Sequence, residues 1–173
     1  MSNLVILNIY RASTGQLMKI LFVCKHNASR SILAEAIAKK YLPENFQIAS
    51  GGSHPKGQIN PRIAQYLDMH GFDASEFHST SWEERLSFHP DLIITVCDTM
   101  HNETCPNWLS AGIRVAWDLE PLPNDEASVS EFNKQCDKVY SSLKRRIEAL
   151  ANIDFQNLDS EEIKQHVLDL KSM

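Results

Sequence analysis

A segment near the start of the chain places an arginine six positions after a cysteine. The segment reads Cys24-Lys25-His26-Asn27-Ala28-Ser29-Arg30-Ser31. The hydrophobic stretch Met18–Val23 precedes it, and a helical pattern follows it. A strand would therefore deliver the thiol to a loop, and the next helix would direct the positive end of its dipole at the sulfur. Loop N–H groups and a guanidinium also stabilise anions, so this pattern predicts a thiolate that attacks a bound tetrahedral oxyanion.

Individual roles within this loop follow from the chemistry of its side chains. Arg30 is expected to clamp two oxygen atoms of the anion, and Ser31 to donate a hydrogen bond to the thiolate. Asn27 tolerates left-handed backbone geometry and is expected to hold the shape of the loop. The helix terminus, the loop amides and Arg30 predict a pKa for Cys24 below that of an ordinary thiol. The predicted oxyanion-binding residues are Lys25, His26, Asn27, Ala28, Ser29, Arg30 and Ser31; the structural alternative is a buried, unreactive cysteine at a strand end.

Two further thiols, Cys97 and Cys105, are separated by seven residues. Their spacing suits a reactive dithiol if the intervening segment bends or unwinds, and we favour this interpretation. A zinc site formed by Cys97, His101 and Cys105 is a second interpretation, which the lack of a fourth ligand nearby disfavours. Ordinary buried cysteines are the third.

Two carboxylates, Asp118 and Glu120, follow the fourth predicted strand. Attack on an oxyanion requires a proton for the leaving oxygen, and an acid at the rim of the site would supply it. Both residues are therefore candidates for the general acid, although solvated loop carboxylates are an equally simple explanation for either one.

The elements that must position these groups alternate between strands and helices. Short apolar runs rich in β-branched residues predict strands at Lys19–Cys24, Phe46–Ser50, Leu92–Cys97 and Ile113–Trp117. Capping residues and apolar periodicity predict helices at Ser31–Tyr41, Pro61–Met69, Glu131–Leu150 and Ser160–Leu170. This alternation indicates an α/β fold with three layers, in which helices flank a four-stranded parallel sheet and a helical tail follows. Ligands of such sheets bind at the carboxyl ends of the strands, where Cys24 and Cys97 would meet.

Composition narrows the classes of protein to which the chain can belong. Its 173 residues, 43% hydrophobic and 23% charged, match a globular protein with a sizeable core. We expect residues 1–17 to form an extension, either disordered or paired as an extra strand, and residues 18–173 to form a single domain. The formal net charge of −5 gives no basic surface for nucleic acid, and no apolar run is long enough to cross a bilayer. Four cysteines without an export signal predict a cytoplasmic protein with reduced thiols, which we expect to be a monomer.

Several of these motifs together resemble the low-molecular-weight protein tyrosine phosphatase superfamily and, within it, the thioredoxin-coupled arsenate reductases. The matching motifs are Cys24-x5-Arg30-Ser31, Ala49-Ser50-Gly51-Gly52 with His54-Pro55 and Asn60-Pro61, Thr95-Val96-Cys97-Asp98, and Cys105-Pro106-x-Trp108. The tail from Arg145 to Leu170 is similar to that of a reductase subgroup. The resemblance extends from about Met18 to the C-terminus.

This resemblance implies reduction of arsenate to arsenite, and with it a role in arsenic resistance. Cys24 would form a thiol–arsenate adduct, Cys97 would attack Cys24 and release arsenite, and Cys105 would move the disulfide to the surface. Thioredoxin, or glutathione with glutaredoxin, would then reduce that disulfide, and no dissociable cofactor would be needed. A potassium ion near Asn27, Glu35 and Ser50 is a further implication, since some relatives bind one there.

The sequence departs from the family pattern at two places. The usual acid is an Asp directly before Pro, whereas here Glu120 precedes Pro121 and Asp118 is offset. The segment after Cys105 also lacks the usual Pro-Gly. Two alternative functions stay open: a phosphatase, a hydrolase acting on phosphate monoesters through a cysteinyl-phosphate, and a non-enzymatic anion-sensing domain.

Overall fold

The computed structural model describes residues 17–98, 109 and 111–173. The predicted extension, apart from Leu17, and the predicted relay residue Cys105 lie outside these residues. So does His101 of the alternative zinc site.

A four-stranded parallel sheet forms the centre of the molecule and confirms the predicted fold class. Its strands are β1 (Met18–Cys24), β2 (Phe46–Gly52), β3 (Leu92–Thr95) and β4 (Ile113–Ala116). They are ordered β2-β1-β3-β4, and every neighbouring pair is parallel. All four residues of β3 are buried, as expected for a strand covered on both faces.

The described residues contain four α-helices, and capping side chains explain where three of them begin. They are α1 (Arg30–Tyr41), α2 (Pro61–Met69), α3 (Val129–Leu150) and α4 (Ser160–Asp169). The bounds of α2 are those predicted, because the Asn60 side chain accepts the N–H of Arg62 and Pro61 occupies the first turn. Helix α3 begins two residues before the predicted Glu131, because Ser128 and Glu131 form a reciprocal capping box.

The described residues also contain three 3₁₀ segments: Ala74–Glu76, Trp82–Phe88 and Leu170–Ser172. The predictions did not include the first two, and the third takes over where α4 ends at Asp169. In the described parts of the chain, no helix is both long enough and apolar enough to span a membrane.

Strands β3 and β4 end earlier than predicted, and Trp117 lies just beyond β4. Trp117 follows β4 and is fully buried, with its ring 6.3 Å from that of Phe22. Its Nε1–H donates to the carbonyl of Val167 in α4 at 3.0 Å. The indole therefore anchors α4 to the sheet.

Candidate active site

The loop between β1 and α1 wraps around the sulfur of Cys24. The backbone N–H of Asn27 donates to Cys24 Sγ at 3.2 Å, and Ser31 Oγ lies 2.9 Å from the same sulfur. Asn27 has a φ of 47°, which confirms the predicted left-handed conformation at this position. The sequence thus places a thiol, an inward-turned amide and the first turn of a helix around one point.

The side chain of Asn27 determines how the Ser31 hydroxyl is oriented. Asn27 Nδ2 donates to Ser31 Oγ at 2.8 Å and to Ser50 Oγ at 2.9 Å, and Ser50 donates onward to Glu35 at 3.0 Å. Because the oxygen of Ser31 accepts from this amide, its single proton is left for the sulfur. Ser31 can therefore donate to the sulfur when Cys24 is a thiolate, which is the role that the loop chemistry predicts.

Residues from neighbouring segments donate hydrogen bonds to carbonyl oxygen atoms of the loop. The N–H of His54 donates to Lys25 O at 2.7 Å, and Ser79 Oγ donates to His26 O at 2.9 Å. The N–H of Thr80 donates to Asn27 Oδ1 at 2.8 Å. Ser79 and Thr80 were missed by the sequence analysis, since they belong to no motif and meet the loop only through the tertiary fold.

Gly52 at the end of β2 permits this close packing. A Cβ atom built on Gly52 would lie 2.7 Å from Lys25 O and 2.9 Å from both Asn27 N and Cys24 O. These contacts are shorter than a carbon atom tolerates, and all involve backbone atoms. The loop can therefore approach β2 only because this residue has no side chain.

A cavity of about 310 Å³ opens above Cys24. The predicted loop residues that line it are Cys24, Lys25, His26, Ala28, Ser29 and Arg30. Residues from elsewhere are Lys56, Asn60, Cys97, Pro121, Leu122 and Pro123. The cavity thus combines a thiol, several cationic groups and an adjacent second thiol, which suits a small oxyanion.

Cys97 is brought into direct contact with Cys24 by the pairing of β3 with β1. The two thiols are hydrogen-bonded to each other, both are buried, and neither forms a disulfide. Among the described residues there is no cluster of His, Cys, Asp or Glu that would hold a metal ion. The contact between Cys24 and Cys97 therefore brings two of the three predicted relay thiols together.

The pKa of Cys24 is raised well above that of an ordinary thiol, so the expectation of a lowered value is wrong for this arrangement. The hydrogen bond with Cys97 is the largest cause, followed by burial. The Ser31 hydroxyl and the Asn27 N–H act in the opposite direction. The sequence-based expectation counted the local loop groups, but it did not include the thiol that the sheet places beside them.

Arg30 belongs to the cavity wall and has a partner that the sequence did not predict. Its Nη1 donates to the carbonyl of Leu119 at 2.9 Å. Leu119 lies between the two carboxylates proposed as general acids. The guanidinium is thus held beside the Cys24 cavity by a backbone group of the segment after β4.

The two candidate acids lie apart from this cavity. Asp118 has a φ of 44° and its carboxylate is 2.8 Å from Lys171 Nζ, while Glu120 accepts from Gln135 at 2.9 Å. Both line a second cavity of about 340 Å³. Neither of these two described carboxylates lines the cavity above Cys24, although the neighbouring Pro121 does.

The side chains considered for potassium lie together, but they do not fit the ion. Asn27 Oδ1 accepts from Thr80, and Ser50 Oγ accepts from Asn27 and donates to Glu35. The buried carboxylate of Glu35 is also 3.1 Å from Lys39 Nζ. Its charge is already compensated, and the oxygen atoms are engaged in the hydrogen bonds that orient the loop.

Comparison with known proteins gives consistent matches. The family model described as low molecular weight phosphotyrosine protein phosphatase matches residues 19–162. An arsenate reductase from Halalkalibacterium halodurans is 30% identical over 132 residues, covering 76% of this chain and 94% of that protein. An arsenate reductase from Bacillus cereus strain AH187 is 29% identical and covers 73% and 91% respectively.

Solved structures show the same relationship. A structure described as an arsenate reductase in the oxidized state is 28% identical, with a TM-score of 0.63, and covers 79% of this chain and 98% of its own. The YwlE arginine phosphatase, at 18% identity and a TM-score of 0.61, shares the fold.

Proposed function

The chain belongs to the low molecular weight phosphotyrosine protein phosphatase family, and we propose that it reduces arsenate to arsenite. The observation that carries this proposal is the contact between the thiols of Cys24 and Cys97. Hydrolysis of a phosphate ester needs only the first thiol, whereas reduction needs a second thiol that reaches the first. Relatives named arsenate reductase that match most of their length support the same conclusion.

In the first proposed step, the thiolate of Cys24 attacks the arsenic atom of an arsenate held by the loop N–H groups and Arg30. A sulfur–arsenic bond forms, and one oxygen leaves as water after it receives a proton. The donors around the sulfur stabilise the anion in the same way as they stabilise the thiolate. The arsenic is still pentavalent in this adduct.

In the second step, the thiolate of Cys97 attacks Cys24 Sγ. A disulfide forms between the two sulfurs, and the sulfur–arsenic bond breaks with its electron pair staying on arsenic. Arsenic is reduced from the pentavalent to the trivalent state while the two thiols are oxidised. Arsenite then leaves.

In the third step, Cys105 attacks Cys97, which frees Cys24 and leaves a disulfide between Cys97 and Cys105. An external thiol reductant, either a thioredoxin-like dithiol or two molecules of glutathione with glutaredoxin, supplies the two electrons that restore both thiols. Since the cycle requires reduced thiols between turnovers, we place the protein in the cytoplasm. We place all of this chemistry in one domain, residues 18–173, acting as a monomer.

The general acid is Glu120 or Asp118, and loop movement would have to bring either one to the leaving oxygen. Glu120 directly precedes Pro121, which lines the thiol cavity, whereas Asp118 is held by Lys171. Glu120→Gln and Asp118→Asn are to be compared by the pH dependence of the arsenate-reduction rate. A loss of about 100-fold in one variant identifies the acid, and normal rates in both remove the assignment.

The decisive assay is arsenate-dependent oxidation of NADPH, coupled through thioredoxin and its reductase and repeated with glutaredoxin and glutathione. We expect Cys24→Ser to abolish the activity, and Cys97→Ser and Cys105→Ser to block steady-state turnover. Cys136→Ala is the matched control, because this thiol is buried on α3 and contributes to the core. Full turnover in both relay variants would contradict the proposed mechanism.

Phosphatase activity is the second candidate, since the loop of Cys24 and Arg30 suits phosphate as well as arsenate. The residues Pro121, Leu122 and Pro123 give the cavity wall no aromatic ring to stack on a phosphotyrosine. We therefore expect at most slow hydrolysis of small phosphate esters. Rapid turnover of phosphotyrosine without any reduction of arsenate would establish the phosphatase instead.

A further inference from the structure

Arg146 joins the C-terminal part of the chain to the segment that follows β4. Its Nη1 donates to the carbonyl of Trp117 at 3.1 Å, and its Nη2 donates to the carbonyl of Lys171 at 2.8 Å. Only 8% of Arg146 is exposed, and its guanidinium lies 5.6 Å from the centre of the Trp117 ring. A buried guanidinium that joins two carbonyl groups fixes the distance between the two segments.

The C-terminal tail, here residues 160–173, makes two more contacts with the segment that follows β4. Val167 of α4 accepts the indole N–H of Trp117 at 3.0 Å, and Lys171 Nζ is 2.8 Å from the carboxylate of Asp118. The positive φ of Asp118 turns the chain between these contacts. Val167 and Lys171 both lie beyond residue 162, where the family match ends.

The next residue of the segment reaches the active site. The N–H of Leu119 donates to Val96 O at 3.2 Å, next to Cys97, and its carbonyl accepts from Arg30 Nη1 at 2.9 Å. Arg30 in turn lines the cavity above Cys24. A continuous series of contacts therefore runs from the tail, through residues 117–119, to the guanidinium at the anion site.

We propose that Arg146 is a positioning residue for Arg30, and that the tail contributes to this role through Lys171. Together they hold residues 117–119 so that the Leu119 carbonyl keeps the Arg30 guanidinium facing the anion. A guanidinium held in place loses less side-chain entropy when the anion binds, and its planar fork is already oriented. This inference rests on the proposed function only in so far as Arg30 binds an oxyanion.

The test measures binding of inorganic phosphate, which requires no turnover. We expect bound phosphate to protect Cys24 from alkylation by iodoacetamide, and mass spectrometry of the Cys24 peptide then gives the dissociation constant of phosphate. We expect Arg146→Gln to weaken phosphate binding about tenfold, because a displaced guanidinium loses its geometry. Arg145→Gln is the matched control: the neighbouring arginine donates to Met173 O, away from residues 117–119, so its replacement should change binding less than twofold.

A second measurement separates positioning from general damage to the fold. In an Arg30→Lys background there is no planar fork to orient, so adding Arg146→Gln should cost less than about twofold. An equal loss in both backgrounds would refute the positioning role. Thermal unfolding verifies that each variant is folded.

A milder variant covers the case in which Arg146→Gln does not fold. Lys171→Met removes the ion pair with Asp118 and should weaken phosphate binding about threefold, a small effect because this pair is partly open to solvent. Lys171→Arg keeps the positive charge and should bind phosphate as the wild type does. Wild-type binding in both Arg146→Gln and Lys171→Met would overturn the proposal. A protein that binds phosphate with these dependences but does not reduce arsenate would refute the proposed function and leave this inference intact.

Discussion

Replacement of Ser31 by alanine tests how the loop stabilises the thiolate. Ser31 Oγ lies 2.9 Å from Cys24 Sγ and accepts from Asn27 Nδ2, so its proton is available to a thiolate at Cys24. This hydroxyl is the strongest influence that lowers the pKa of Cys24. Without it, the thiolate loses a donor while the neutral thiol loses little, so the pKa must rise.

The magnitude follows from the burial of the site. Cys24 is 6% exposed and Ser31 is fully buried, so water does not replace the lost donor. A hydrogen bond to a charged group stabilises it by about 1.5–3 kcal/mol. At any pH below the pKa of Cys24, Ser31→Ala should therefore lower the thiolate population, and with it the alkylation rate, by about 10- to 100-fold.

The assay uses a background in which Cys24 is the only reactive thiol. The chain has four cysteines, and Cys97→Ala with Cys105→Ser leaves Cys24 and Cys136. Burial and the nearby Asp137 raise the pKa of Cys136 to about 12, so it does not compete. The rate of alkylation by iodoacetamide is then measured as a function of pH with and without Ser31→Ala.

Ser29→Ala is the matched control on the same loop. Ser29 Oγ is 3.5 Å from Asn60 Nδ2, and its hydroxyl has no role in the contacts described for the sulfur. The control should keep the pH profile of the background. An unchanged profile in Ser31→Ala, or an equal shift in Ser29→Ala, would refute the role assigned to the Ser31 proton.

Two further predictions concern the surroundings of the loop. Cys97→Ala should lower the pKa of Cys24, because the hydrogen bond with Cys97 is the largest cause of the raised value; alkylation of Cys24 should then begin at lower pH, and an unchanged or higher onset would contradict this. Gly52→Ala should abolish phosphate protection of Cys24, because its Cβ would lie 2.7 Å from Lys25 O. Gly71→Ala is the control for Gly52→Ala. Its φ of 82° strains any residue with a side chain, but the space around it is open, so this variant should lose about 1–2 kcal/mol of unfolding free energy and still bind phosphate.

The contact between the two thiols has opposite effects at different stages of the proposed cycle. Before the anion binds, Cys97 and burial keep the proton on Cys24, so the nucleophile is protected from non-specific oxidation and alkylation. After the adduct forms, the same closeness lets Cys97 reach the sulfur without a large rearrangement. A bound anion, together with Arg30, would change the balance between protonated Cys24 and the reactive thiolate.

Local sequence was sufficient for those features whose causes lie within a few residues. Asn60 and Pro61 determine where α2 begins, and the bounds of this helix were predicted correctly. The left-handed Asn27 and the thiol at the end of β1 follow in the same way from the loop itself. The apolar, β-branched runs predicted the strands, and their alternation with helical patterns predicted the parallel sheet.

Other properties of the site depend on residues far apart in the sequence, and only the tertiary structure decided them. The pKa of Cys24 is raised because β3 pairs with β1 and places Cys97 against it. Asp118 pairs with Lys171, 53 positions later, and Arg30 bonds to Leu119, 89 positions later. Such contacts follow from the packing of whole elements. The predicted parallel sheet indicated that Cys24 and Cys97 would meet at its carboxyl edge, but composition, periodicity and local spacing hold no information about the partners of Asp118 and Arg30.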